Sequence, residues 1–455
     1  MASSRKLQFS DFFEIDPQVL KEYGAFNISL LNDLPIFIDP FLLFYSKKAE
    51  YRAQHDRMID YLRLLRDLSV SGKVNLTLLK TLYRFPEVPQ NWMGFCVDGN
   101  RGCGPGAKFA ARLDENLRTV FRDFGSENIT QSSHIEKLTL IEDRVGRDFI
   151  SDFSTNLIKP YLLQYTQEFA RRHLRDDQRA VVRVRRAEFD RDAVAWIDRQ
   201  YELPVIADEY VILTPIDMLT RQDAWINRRD MTDDFTGLVE SLSDASLRAQ
   251  INRHLFESIP EEATETDRRK AQQAAFRQFP ALIDYYIRYK EERGDSARMR
   301  TRRLLNEAET MFLSNISKLN ALLDAAGFYR HDVRTADGVR QRLLILKKVV
   351  EEKGGNIAFL AEGKPLSRLS DLRVIRRLIW LSATGQPGNQ RIDGVVDFRF
   401  GRRADLQQVV SGAVTNRVAL AFFIYNDDER SAVEEAIRKA PAETTLVMID
   451  ASVET

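Results

Sequence analysis

The sequence predicts an α+β protein of several parts: an α-rich N-terminal body with a small antiparallel β region, a helical middle, and a C-terminal α/β unit. Three observations predict it. Apolar residues recur at helical spacing before residue 175 and again between 261 and 354. Period-two patterning takes over between Ala180 and Pro215. In the last 90 residues or so, short aliphatic runs alternate with amphipathic ones. The boundaries that follow are 1–175, 176–260, 261–354 and 355–455. A chain of 455 residues, 44% hydrophobic, is long enough to fill more than one core.

In the N-terminal part, Asp56 to Leu68 sets Met58, Ile59, Tyr61, Leu62, Leu64 and Leu65 on one face, which predicts a helix. Before it, Pro35 and Pro40 bracket an apolar stretch. Proline fixes φ and extends its predecessor, so this reads as a buried connector entering a helix at Pro40. Gly94, Gly99, Gly102, Gly104 and Gly106 form the Gly-rich stretch, and Lys108 opens a helix through Leu117. One or two helices are expected over 135–174. Ala180–Arg185 and Tyr210–Thr214 read as strands, antiparallel because their connection is too short for a helical crossover.

The middle returns to helices from Ala263 to Ala325, broken near Gly294, and from Gly338 to Lys353, closed by Gly354 and Gly355. Ile357–Leu360 reads as a short strand and Leu369–Leu381 as an amphipathic helix capped by Ser370 or Asp371. The end of the chain then reads strand (395–400), helix (403–411), buried strand (418–425), helix (427–440) and strand (444–449).

Charge and composition exclude several function classes. With 67 basic and 67 acidic side chains the chain has no net field to draw it to nucleic acid or membrane, so any electrostatic footprint is local. Only 17 of the basic residues are lysine; the rest are arginine, suited to planar contact with phosphate or carboxylate. Cys96 and Cys103 are too few for a disulfide scaffold and too far apart for a CxxC zinc site. No signal-peptide pattern and no stretch of about 20 apolar residues occurs, so a cytoplasmic, non-membrane protein is expected. The five histidines show no H-x-x-x-H spacing, and no Gly-x-Ser-x-Gly elbow exists.

Four groups of residues could carry chemistry. The Gly-rich stretch opens a helix whose amides, with Lys108, could cradle a phosphate. It fails the P-loop pattern after Gly106, and the alternative is a plain structural loop. Asp148, Asp152 and Asn156 recur every four positions, and on a helix would share a face able to hold Mg²⁺. Alternatively Asp148 or Ser151 caps the helix and Asp152 pairs with Arg144 or Arg147. Basic runs at Arg171–Arg186 and Arg298–Arg303 could neutralise phosphates. Interleaved acids (Asp176, Asp177, Glu188) offer a salt-bridged solvated face instead. The fourth group is Val396-Asp397-Phe398-Arg399-Phe400, with Arg402 and Arg403 behind it as phosphate-binding candidates.

This last segment, followed by an amphipathic helix and an aliphatic strand, resembles the second half of a PD-(D/E)xK nuclease core. In that family an acid and a Lys two positions on point the same way from one strand. The resemblance implies that Asp397 binds a divalent metal, Mg²⁺, with Asp393 as second carboxylate and Arg399 in the Lys position as the catalytic partner. Arginine does not deprotonate and is not the compact donor that lysine is, so a weakened or lost active site is implied as well. Upstream, Leu34–Leu43, Gly146–Asp152 and Leu203–Pro215 resemble a type of bacterial protein associated with mobile-element and anti-phage loci. Together these imply a metal-dependent DNA nuclease, or a degenerate one, in antiviral defence. Its partners would be DNA or another protein of the same system, its oligomeric state open. The rival is a non-catalytic scaffold, binding nucleic acid or protein, that keeps a nuclease-like domain.

Overall fold

The computed structural model describes residues 5–94, 106–119, 121–122, 124–141, 147–206, 209–221, 223–260, 262–382, 395–410, 419–439 and 445–452. In chain order we label its principal helices α1 (Ala49–Val70), α2 (Ala107–Arg118), α3 (Arg147–His173), α4 (Ala245–Ser258), α5 (Glu265–Gln278), α6 (Ala281–Glu291), α7 (Gly294–Glu309), α8 (Asn315–Ala325), α9 (Ala336–Glu352), α10 (Leu369–Leu381), α11 (Arg403–Val410) and α12 (Asp427–Lys439). The strands are β1 (Phe37–Ile38), β2 (Arg179–Asp190), β3 (Ala195–Ile206), β4 (Glu209–Tyr210), β5 (Leu219–Thr220), β6 (Leu360–Ala361), β7 (Lys364–Pro365), β8 (Val396–Phe400), β9 (Ala419–Ile424) and β10 (Leu446–Asp450).

The connector and helix expectations of the N-terminal part hold in outline, but of the strand expected at Tyr210–Thr214 only Tyr210 is in a strand, as part of the two-residue β4. The connector is extended, pairs as β1 with β5, and enters a short helix at Pro40. Asp39 caps that helix through Phe41 N–H at 3.1 Å. Pro160 sits inside the 27-residue α3. β2 and β3 form a long antiparallel hairpin, with β4 on its inner edge. Its outer arginines are paired across the strands: Arg183 with Asp198 at 3.1 Å and Arg199 with Glu188 at 3.1 Å. That matches the salt-bridged face rather than a phosphate-binding stripe.

The middle of the chain supplies α4 to α9, with a π-helical turn at Thr310–Ser314 joining α7 to α8. Two sequence readings are corrected. Ile357–Phe359 is not a strand but belongs to a 3-10 turn (Gly355–Phe359), and only Leu360–Ala361 pairs, with β7. α10 spans Leu369–Leu381 as expected, but Arg368 holds its N-cap position; Ser370 and Asp371 lie inside the first turn, and the Asp371 carboxylate accepts from Arg221 at 2.9 Å.

β8, β9 and β10 form a parallel sheet in the order β10-β9-β8. Every residue of β9 is buried, as expected of a parallel strand covered on both faces. On one face, Leu420, Phe422 and Ile424 meet Leu406 of α11 and Val433 and Ala436 of α12. On the other, Phe398, Phe423 and Ile449 join an apolar core that also contains Leu346, Leu378, Trp380 and, from the start of the chain, Leu7 and Phe9. The C-terminal unit therefore shares a core with the N-terminal body. Lys347 of α9 reinforces the junction by donating to the Met448 carbonyl at 2.7 Å.

Candidate functional site

The fold gathers the residues singled out by sequence at two separate places. The first is β8. Its strand alternation buries Val396, Phe398 and Phe400 and turns Asp397 and Arg399 together to the other face. Arg399 Nε donates to Asp397 Oδ2 at 2.8 Å. Asp397 Oδ1 accepts from Phe398 N–H at 3.0 Å and from Arg376 Nη1 at 3.0 Å. The same Arg376 nitrogen donates to the Val396 carbonyl at 2.9 Å. Arg376 thus ties α10 to the strand that ends the described sheet. The Asp397 side chain is 15% exposed, and those of Arg376 and Arg399 are 4% and 13% exposed.

These residues do not fit the magnesium ion that the nuclease resemblance implies. Both carboxylate oxygens already accept from cationic donors. A dication about 5 Å from each guanidinium would be repelled by roughly 7 kcal/mol per arginine at an effective dielectric of about 20. Asp393 lies outside the described residues. Of the phosphate candidates, Arg402 stacks over Phe400 at 4.6 Å and donates to the carbonyls of Ser367 and Leu366, both at 3.2 Å. It is a structural tie. Arg403 is exposed on the first turn of α11, and Lys108 is exposed on the first turn of α2.

The second place lies in the N-terminal body, where Asp148 and Asp152 project from the start of α3. Backbone and side-chain bonds fix what faces them. Ile38 N–H donates to Ser151 Oγ at 3.1 Å, Leu34 N–H to the Trp92 carbonyl at 3.3 Å, and Gly94 N–H to the Leu34 carbonyl at 3.0 Å. Gly94 adopts φ +121°, and a Cβ there would lie 3.2 Å from Asp148 Oδ1. Asn156, the expected third ligand, is corrected: its amide is buried and donates to the carbonyls of Pro86 and Asp152 at 2.7 and 2.8 Å. That bond brings Glu87 alongside. Arg147 is not the partner of Asp152 either; it stacks over Phe37 at 4.8 Å and lies 3.7 Å from Asp223.

The result is a carboxylate cluster of Asp33, Glu87, Asp148 and Asp152. Asp33 is 2% exposed, and neither of its carboxylate oxygens has a hydrogen-bond partner among the described residues. Burial pushes its carboxyl well above the usual range. Glu87, Asp148 and Asp152 push it the same way, and Arg377 opposes them. Burial, then Asp148 and Glu87, push the Asp152 carboxyl up to about 8. Glu87 and Asp152 are half-buried and Asp148 is exposed, so the cluster grades from interior to solvent. Among the described residues no group of three or more Asp, Glu, His or Cys side chains is placed to hold a metal ion. Sequence reading found two of the four carboxylates through their helical spacing; Asp33 and Glu87 carry no local signal.

A buried histidine pair also escaped the sequence. His55 and His134 rings lie 5.6 Å apart, and His134 Nε2 is 2.9 Å from Glu291 Oε1. Glu291 is well satisfied, accepting also from Gln131 and Ser132 N–H. Glu136 is fully buried without a hydrogen bond among the described residues, 3.9 Å from His134 Nδ1. Burial first, then Asp39, raises its carboxyl above the ordinary range. Burial, then His134, pushes the His55 imidazole down to about 3.

Among the described residues, no helix is long and apolar enough to cross a membrane. Residues 14–227 match a family described as a domain of unknown function (DUF8370). No curated protein and no solved structure matches the chain. Asp33, Glu87, Asp148 and Asp152 all fall inside the matched span, and Asp397 falls outside it.

Proposed function

We propose that the C-terminal α/β unit is a non-catalytic docking scaffold rather than a working metal-dependent nuclease, and that its partner is a protein. The observation that carries this reading is the state of Asp397. Its carboxylate is held between Arg376 and Arg399 and serves the fold. The preference for a protein partner rests on charge. The chain is neutral overall, and along the hairpin Arg171, Arg179, Arg183 and Arg199 each lie against a carboxylate. In the anti-phage setting implied by the upstream resemblance, the scaffold would engage another protein of the same system.

The test is a cleavage assay on supercoiled and linear DNA with Mg²⁺ or Mn²⁺, comparing wild type with Asp397→Asn. Intact DNA in every lane is the expected result. Metal-dependent cutting that disappears in Asp397→Asn overturns the proposal and restores the nuclease reading. DNA affinity is measured alongside as a function of salt. A slope of log affinity against log salt steeper than about −5 would mean at least five phosphate contacts, and would replace the protein partner with nucleic acid.

A further inference from the structure

Between the N-terminal body and the helices of the middle lies a cavity of about 910 Å³. We propose that it binds a small organic anion with an apolar, ring-bearing body. One wall is the stretch from Phe121 to Leu140, inside the matched family span. The other is built by the short helix Arg228–Asp233 with α5 and α6, beyond that span. Bonds across the gap hold the walls in place. Lys137 Nζ lies 2.5 Å from Asp284 Oδ1, Arg288 donates to the Ile129 carbonyl at 3.0 Å, and the N–H groups of Gln131 and Ser132 donate to Glu291.

Size and lining point to a ligand. Close-packed interiors hold few voids larger than one water molecule. This space instead reaches the upper end of the roughly 300–1,000 Å³ that small-molecule sites occupy. It stands where two apolar cores meet without merging. Phe121 and Phe124 belong to the core of the N-terminal helices, and Leu140, Met231, Phe276 and Ile283 to the core of the middle. All six side chains are buried. Water in the cavity therefore meets apolar wall, and an apolar body that displaces it is favoured. Three phenylalanines among the six favour a ring, which they can meet edge to face or offset.

The polar groups set the sign of the ligand. The two lining carboxylates already face a cation: Lys137 Nζ lies 3.7 Å from Glu127 Oε1 and 2.5 Å from Asp284 Oδ1. Glu127 Oε2 also accepts from Gly125 N–H at 2.8 Å. Neither acid calls for a positive charge on the ligand. Arg277 is different. It lines the cavity from the exposed side of α5 and has no carboxylate within ion-pair distance among the described residues. A planar guanidinium beside an apolar opening suits a carboxylate or phosphate, which it can hold by two parallel bonds. A ligand with its ring among the phenylalanines brings such a group to Arg277.

The experiment titrates the full chain with two fluorescent probes: anilinonaphthalenesulfonate, a ring body with one anionic group, and phenylnaphthylamine, the same body without it. Saturable binding of the sulfonate near one per chain is expected. Arg277→Gln should weaken the sulfonate about tenfold and leave the neutral probe unchanged. Ala281→Trp, which sets an indole into the cavity from the start of α6, should abolish binding of both probes. Both positions are exposed, so the circular dichroism of each variant should match wild type, and lost binding is not lost fold. Absence of saturable sulfonate binding overturns the proposal. So does a sulfonate affinity that Arg277→Gln leaves unchanged, or binding that survives Ala281→Trp.

Discussion

Replacing Asp397 by alanine distinguishes a structural carboxylate from a catalytic one by stability alone. The substitution removes the acceptor for Arg376 Nη1 at 3.0 Å, Arg399 Nε at 2.8 Å and Phe398 N–H at 3.0 Å. It leaves two guanidinium groups, 4% and 13% exposed, beside each other with no carboxylate between them. Each charge-assisted bond contributes about 1.5–3 kcal/mol, and breaking a buried pair from one side costs about 3–5 kcal/mol because the surviving charge is stranded. Arg376 keeps its bond to the Val396 carbonyl and Arg399 keeps some water access, so we expect the low end of that range, about 3 kcal/mol, for the C-terminal unit. A chain of this length need not unfold in one step, so the assay is native-state hydrogen exchange of the β8 and β9 amides, not a global melt. A double-mutant cycle with Arg376→Met should show a coupling of about 1.5–3 kcal/mol. A carboxylate kept for catalysis behaves oppositely, since active-site substitutions are commonly neutral or stabilising. An Asp397→Ala protein whose β8 and β9 exchange is unchanged within about 0.5 kcal/mol would refute the structural assignment.

Three further predictions concern His55, the buried Glu136 beside His134, and a glycine. His55 is held neutral down to about 3, so the unfolded chain takes up its proton first as pH falls through the ordinary histidine range. Stability should therefore drop from about pH 6.5 downward. His55→Phe, which keeps a ring against Phe44 and His134, should flatten that limb in urea titrations. Glu136 has the opposite sign. Its folded carboxyl is pushed up to about 8, so the stability it contributes in acid is lost as pH rises from the ordinary glutamate value to about 8, and Glu136→Gln should stabilise the protein at pH 8. Gly338→Ala would place a Cβ 1.9 Å from the Asp332 carbonyl oxygen at the start of α9. It should cost at least about 2 kcal/mol by thermal unfolding, against a few tenths at a glycine with open space.

What the sequence made legible was local. The helix around Asp56–Leu68 and the strand-helix alternation after Val396 follow from patterns that a few residues carry by themselves. β3 was not legible. Its central Asp198, Arg199 and Gln200 are polar because that end of the hairpin stands off the core, so no period-two apolar signal exists there. The strand expected at Ile357 failed because Ile357 is 42% exposed on a turn, while Ala358 and Phe359 are buried. At the sites the limit was the same. Asp397 and Arg399 sharing a face follows from strand geometry, but Arg376, which neutralises that face, arrives from a helix 21 positions earlier. Asp33 and Glu87 come within electrostatic reach of Asp148 only through tertiary bonds between their segments, and no spacing rule could announce them.

The treatment of buried charge separates the two ends of the protein. In the C-terminal unit the charged side chains close on one another: Asp397 on Arg376 and Arg399, and Glu429 on Tyr425 N–H at 2.9 Å. Arg402 likewise closes on two backbone carbonyls. Such groups hold strands and helices in register, and the guanidinium groups beside Asp397 repel a metal ion. In the N-terminal body, Asp33 and Glu136 are buried carboxylates without donors among the described residues, in a fold that elsewhere satisfies Asp39, Asp371 and Glu291. Asp33 and Glu136 both lie in the segment matched by the domain of unknown function, and burial raises each carboxyl above the ordinary range, so both stand as neutral acids over a wider span of pH than Asp397 or Glu429 needs to.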